Sequence, residues 1–179
     1  DRLLDRQGIL DCLVRFSRGM DRFDRELFLS AFHPDAEIAA GAFVGGPAAL
    51  YDWAHELHER GQSATQHDLL NHSCDIDGDT AHAETYYLFV GRNRDNSNWL
   101  AGGRYIDRLD RRRGEWKIAL RCNAIEWSGA VPGTELPFMD VPDRHTVVFR
   151  LKRPFNAFLL SLMASSAPMM PAHIYEGTD

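Results

Sequence analysis

Asp21 and His67 are the residues whose pairing would carry the most chemistry in this chain. A carboxylate beside an imidazole can fix the ring's tautomer and stabilise the imidazolium formed when the ring takes a proton. Each also has a plainer reading. Asp21 follows Met20 at the end of a helical pattern, where a carboxylate commonly caps a turn in water, and Arg22, Asp24 and Arg25 beside it suit that. His67 opens the segment Gln66-His67-Asp68-Leu69-Leu70-Asn71, and a histidine on a half-buried strand is more often structural than basic. Arg121 is the third candidate. In Trp116-Lys117-Ile118-Ala119-Leu120-Arg121-Cys122-Asn123, alternation puts Trp116, Ile118 and Leu120 on one face and Ala119, Arg121 and Asn123 on the other. Arg121 therefore faces water, or it stabilises negative charge developing in a pocket.

Other chemistries find little support. His33, His55, His58 and His72 have weaker claims; His55 and His58 share a helix face but lack a third ligand at metal spacing, so no metal is expected. Gly41 to Gly46 lacks the lysine and Ser/Thr of a phosphate loop, and no G-x-S-x-G or H-E-x-x-H motif occurs. No cofactor is expected. Cys12, Cys74 and Cys122 are too few and too irregular for a disulfide framework, and they read as buried thiols in a reducing, cytoplasmic compartment. Cys122, beside the pocket candidates, could be reactive.

The elements that must position these residues follow from periodicity. Leu3 to Met20 is an amphipathic helix, with Ile9, Leu13, Phe16 and Met20 as its stripe and Leu10 and Val14 alongside. A second helix is predicted over Asp24 to Phe32, capped by Asp24 and stopped by Pro34. Ala36 to Val44 reads as a short strand. Pro47 starts a third helix that ends near Gly61, with Leu50, Trp53, Ala54 and Leu57 on one face. Period two then takes over. His67 to Ile76 and Thr80 to Arg92 form a hairpin about Asp77-Gly78-Asp79, and Trp99 to Asp110 and Glu115 to Trp127 form another about Arg111-Arg112-Arg113-Gly114. Three helices followed by antiparallel strands make an α+β domain. We expect it over residues 1–129, with 130–179 an extension packed on it or on a neighbouring subunit. His145 to Leu151 could add a strand, and Phe155 to Ala164 a short amphipathic segment.

Composition bounds the partners. The 179 residues suit one core, and a net charge of −6 repels nucleic acid; the three arginines read as a solvated hairpin tip. No stretch is long and apolar enough to span a bilayer as a helix. Neither a nucleic acid nor a membrane is an expected partner.

Met20-Asp21, Phe32-His33-Pro34-Asp35-Ala36, Gly45-Gly46-Pro47, His67-Asp68-Leu69-Leu70-Asn71, Asp77-Gly78-Asp79-Thr80-Ala81 and Gly114-Glu115-Trp116-Lys117-Ile118, in that order, resemble the SnoaL-like group of the nuclear-transport-factor-two-like superfamily. The likeness spans most of Leu3 to Trp127. It implies a cone: a bent sheet wrapped around helices, with a deep pocket at one end. Members include scytalone dehydratase, hexachlorocyclohexane dehydrochlorinase, bile-acid dehydratase, polyketide cyclases and the small subunits of ring-hydroxylating dioxygenases. In the dehydratase and dehydrochlorinase members an Asp ending the first helix and a His on the first long strand form a dyad, which Asp21 and His67 match; Arg121 matches a pocket arginine on a late strand.

The resemblance thus implies a cofactor-independent lyase or isomerase of a small, apolar, cyclic substrate, with Asp21, His67 and Arg121 catalytic. The competing readings are an accessory dioxygenase subunit and a small-molecule-binding module. Phe23, Tyr51, Tyr86, Phe89, Trp99, Asn123, Trp127 and Phe138 are the expected pocket lining. The tyrosines that scytalone dehydratase carries on its first helix have no match, and Phe16 and Phe23 stand in that region; Tyr51, Tyr86 or Tyr105 would have to replace them. A homodimer or homotrimer is expected by analogy.

Overall fold

The computed structural model describes residues 2–132, 139–143 and 146–149. Helices α1 (Arg2–Arg22) and α2 (Arg25–Ser30) lead into strands β1 (Phe32–Ala40) and β2 (Phe43–Gly45), then helix α3 (Pro47–Gly61). Four long strands follow: β3 (Gln62–Asp77), β4 (Thr80–Asn93), β5 (Asn98–Arg112) and β6 (Glu115–Val131). A separate ribbon pairs β7 (Met139–Asp143) with β8 (Thr146–Phe149).

The stripe on α1 explains its place. Ile9, Leu13, Phe16 and Met20 are all buried, as are Cys12 and Ser17 between them, because this face packs into the hollow of the sheet. Asp24 caps α2 by accepting from the Leu27 N–H at 2.9 Å. The short helix stops before Phe32, earlier than its apolar spacing predicts. The Ala31 carbonyl accepts from the Ile118 N–H at 2.9 Å and Phe32 pairs with Ile118, so sheet pairing claims these residues. The predicted strand Ala36 to Val44 is a hairpin, β1 and β2, that turns at Gly41 (φ 59°).

The six strands run in the order β2-β1-β6-β5-β4-β3 and leave the sheet unclosed. Pairing is antiparallel except between β1 and β6, which are parallel, so the all-antiparallel sheet expected from sequence is corrected at one seam. Register shifts near Leu69, Gly102 and Leu109 bend the long strands around α1, as extra residues in one strand of a pair do. Gly19 permits a close approach of α1 to α2: a Cβ there would sit 2.4 Å from the Phe28 nitrogen.

Strand alternation sorts the sheet's two faces. Ala81, Ala83, Thr85, Tyr87 and Phe89 of β4 point inward and are buried, while Tyr86 points outward. The outer face exposes Tyr86, Ile106, Leu120 and Trp127, and Arg104 bridges Glu84 and Glu126 across three strands of it. β6 continues through Val131, past the boundary expected at residue 129. The β8 segment falls within the strand expected over His145 to Leu151. The amphipathic segment expected at Phe155 to Ala164 lies outside the described residues.

Candidate active site

The end of α1 delivers a carboxylate to the start of the long strands. Phe23 takes a left-handed conformation (φ 54°), and the Asp24 N–H donates back to the Gly19 carbonyl at 2.9 Å. This termination leaves Asp21 on the last turn, facing β3. Asp21 Oδ1 lies 2.6 Å from His67 Nδ1, and the His67 backbone N–H donates to Asp21 Oδ2 at 2.8 Å. One turn earlier, the Ser17 hydroxyl donates to the His67 carbonyl at 2.6 Å. Helix and strand are thus joined by three hydrogen bonds that converge on His67, two from Asp21 and one from Ser17.

The chemistry of this contact is asymmetric. An ionised carboxylate only accepts, so Nδ1 carries the ring proton and the lone pair of neutral His67 resides on Nε2. The ring packs against Phe89 (centroids 4.7 Å apart) and Phe16 (6.4 Å), which fixes its plane. The side chains of His67 and Asp21 are 10% and 17% exposed, enough shielding to strengthen their electrostatic contact.

His67 lines a cavity of about 240 Å³ whose walls are mostly apolar. Phe16 and Met20 of α1, Leu50, Trp53 and Ala54 of α3, and Phe89 and Trp99 of the sheet form most of it. Its polar members are His58, Tyr87, Tyr105, Arg121 and Asn123. A second, more polar cleft between α1 and β3 reaches Asp21 and His67 from the other side, past Arg18 and Arg22.

Arg121 is held as a fixed donor. Its Nε and Nη2 each donate to a different oxygen of Asp107 at 2.7 Å, and both side chains are buried. The guanidinium lies 4.1 Å from the centroid of the Phe16 ring and 4.3 Å from that of Tyr105. Burial works against its charge, but the Asp107 carboxylate outweighs that and holds Arg121 above its ordinary pKa. Two cavity-wall atoms, Arg121 Nη1 and Asn123 Oδ1, are buried and have no hydrogen-bond partner among the described residues. One offers a proton and the other a lone pair to whatever occupies the cavity. Tyr87 and Tyr105 stack with ring centroids 4.3 Å apart, and burial raises both hydroxyls above the usual phenol pKa.

Of the expected lining residues, Phe89, Trp99 and Asn123 border the cavity together with His67 and Arg121. The others do not. Tyr86 stands on the outer face because it is three residues from Phe89, and alternation cannot turn both inward. Trp127 also lies outside, across Gly102: the register shift at Gly102 and Gly103 places Glu126 as an extra residue, and the odd-numbered inward series ends at Ile125. Tyr51 is buried between Phe28 and His55, behind the helices rather than in the hollow. Phe23 packs on His55 at 4.2 Å. Phe138 lies outside the described residues. Cys122 points outward and is exposed, unlike Cys12, whose thiol burial pushes up to about 11.

Sequence reasoning missed His58, Tyr87 and Asp107 as site residues. Parity could have found two of them. Tyr87 shares Phe89's face, and Asp107 sits on the inward series Ala101, Gly103, Tyr105, Leu109, where a lone carboxylate demands a buried partner. Among the described residues, no cluster of His, Cys, Asp and Glu could hold a metal ion, and no helix is long and apolar enough to cross a membrane.

The model of the SnoaL-like domain family matches residues 1–122. No curated protein matches the chain. Among solved structures, the chain is similar to the hexachlorocyclohexane dehydrochlorinase LinA-type3 of Novosphingobium barchaimii: TM-score 0.68 and 21% identity, covering 76% of this chain and 96% of that one. It is also similar to a Novosphingobium aromaticivorans protein provisionally described as a scytalone dehydratase: TM-score 0.65 and 17% identity, covering 86% and 97%. A protein of unknown function with a cystatin-like fold, from Nostoc punctiforme, gives TM-score 0.60 and 22% identity, covering 69% and 92%. At these identities the likeness establishes the fold.

Proposed function

The chain belongs to the SnoaL-like domain family, and from that premise we propose that it is a cofactor-independent lyase or isomerase that takes a proton from carbon in a small, apolar, ring-sized molecule. The observation that carries this reading is the 2.6 Å contact between Asp21 Oδ1 and His67 Nδ1 at the wall of an apolar cavity. It leaves His67 Nε2 as the base. The substrate carbon must be acidified by a neighbouring carbonyl or similar group, because an imidazole is too weak to deprotonate an unactivated C–H.

The geometry supports the following steps. Neutral His67 takes the proton at Nε2 while Asp21 stabilises the resulting imidazolium across Nδ1–H. Negative charge then develops on the substrate's activating group. Arg121 Nη1 is the donor for it, already oriented by Asp107 and therefore spared reorganisation as the charge appears. The electron pair left on carbon expels a neighbouring group or shifts a double bond. The walls formed by Phe16, Leu50, Trp53, Phe89 and Trp99 favour an apolar ring over a charged substrate.

Proton abstraction can be read without knowing the final product. Incubated in deuterium oxide with a panel of six-membered cyclic ketones, the protein should exchange the hydrogens beside the carbonyl of those that fit, as followed by proton NMR. His67→Ala should lower that exchange to the uncatalysed background. Equal exchange by both proteins would remove His67 as the base.

A further inference from the structure

We infer that Phe23 and His55 are positioning residues for the dyad: their packed rings clamp the end of α1 to α3 and so hold the Asp21 carboxylate on His67. The inference rests on the reading of His67 as the base, and it concerns two residues that do not border the cavity.

Two backbone bonds close the end of α1. The Asp24 N–H donates to the Gly19 carbonyl at 2.9 Å, and the Phe23 N–H donates to the Met20 carbonyl at 3.3 Å. Helices that end in this way place a left-handed residue just past the last turn, and that residue is usually glycine. Here it is a phenylalanine at φ 54°. A bulky side chain is strained in that conformation and persists only where its surroundings hold it. Asp21 lies inside the closed loop, so whatever holds Phe23 also sets where the carboxylate stands.

The ring contacts show what holds it. The Phe23 ring lies 4.2 Å, centroid to centroid, from the imidazole of His55 on α3. His55 stacks on Tyr51, one turn earlier on the same helix, at 5.6 Å, and Tyr51 packs on Phe28 of α2 at 5.2 Å. Tyr51 and Phe28 are buried. The Arg25 guanidinium lies 5.8 Å from the centroid of the Tyr51 ring, and Arg25 Nε donates to Asp52 of α3 at 3.3 Å. A row of rings therefore runs from the core to the strained turn, with α3 carrying its middle.

The dyad is sensitive to this anchor because its two hydrogen bonds, at 2.6 Å and 2.8 Å, share one carboxylate. A rotation of the last turn of α1 stretches both together. Misplacing a catalytic group by about 1 Å costs on the order of 10²-fold in rate.

Two substitutions separate the ring from the backbone. Phe23→Gly and Phe23→Ala both remove the clamp, but only glycine takes a positive φ without strain, so Phe23→Gly should have the higher urea midpoint. Both should nevertheless lower kcat for carbon–hydrogen exchange by the same roughly 10–100-fold with KM unchanged, because the loss follows the ring. His55→Ala leaves the sequence of the turn intact and should show the same loss, and His55→Phe, which restores a ring on α3, should regain the rate. The proton on His67 Nδ1 gives a readout that does not need turnover. Its NMR resonance should be sharp in the wild type and broadened by solvent exchange in the variants lacking either ring. Rates that rank with stability, Phe23→Gly above Phe23→Ala, would reduce both residues to a structural role. Wild-type kcat or a sharp Nδ1–H resonance in folded His55→Ala would overturn the clamp. Equal exchange by wild type and His67→Ala would instead remove the base, and the Nδ1–H resonance would still report whether the clamp holds the contact.

Discussion

Asp21→Asn should lower carbon–hydrogen exchange by about 10²–10⁴-fold while leaving the fold intact. The change is nearly isosteric, yet it inverts the hydrogen bond. An asparagine that keeps its oxygen on the His67 backbone N–H must present its NH₂ to His67 Nδ1. Nδ1 must then accept, the ring proton moves to Nε2, and Nε2 is no longer a base. The variant also loses the charge that stabilises the imidazolium. Asp21→Ala should be similarly inactive and less stable, since the His67 N–H and Nδ1–H both lose their acceptor. Circular dichroism and the exchange rate together check this. Near-native exchange by a folded Asp21→Asn protein would mean that the carboxylate does not set the tautomer.

The largest loss of stability should come from Asp107→Ala, about 3–5 kcal/mol in urea unfolding. Asp107 and Arg121 are buried together, and their two parallel hydrogen bonds offset the cost of desolvating both charges. Removing only the carboxylate strands a guanidinium between Phe16 and Tyr105. The pair should be dispensable for folding but not for chemistry. Asp107→Leu combined with Arg121→Met should recover most of the lost stability, because an apolar pair needs no compensating charge. It should stay inactive, because the donor for the substrate's developing anion is gone. Restored activity in the double variant would show that Arg121 serves only the core.

How far the sequence discloses this arrangement depends on the range of the interactions involved. α1 and α3 are legible because each buries one stripe at helical spacing, and the hairpins are legible because Asp77-Gly78-Asp79 and Gly114 mark their turns. The parallel seam between β1 and β6 is not legible, since it joins segments about eighty residues apart and no local pattern encodes it. Strand parity reads the inward face of β4 and β5 well and would have exchanged Tyr86 for Tyr87. On β6 parity alone misleads: Arg121, Asn123, Ile125 and Trp127 form one odd-numbered series, and only the register shift opposite Gly102 and Gly103 turns Trp127 outward. Asp21 and His67 were nominated by resemblance, whereas their contact depends on how α1 ends, at the left-handed Phe23. His58 carries no sequence signal beyond its helix, because what singles it out is the neighbouring ring of His67.

The central claim is that Asp21 holds the His67 ring with its proton on Nδ1 and its lone pair on Nε2, facing the cavity. A long-range ¹⁵N–¹H correlation spectrum of the neutral protein reads this directly. The account predicts that the His67 ring is in the Nδ1–H form and switches to the Nε2–H form in Asp21→Asn. A wild-type ring in the Nε2–H form, or one unchanged by the substitution, would contradict it.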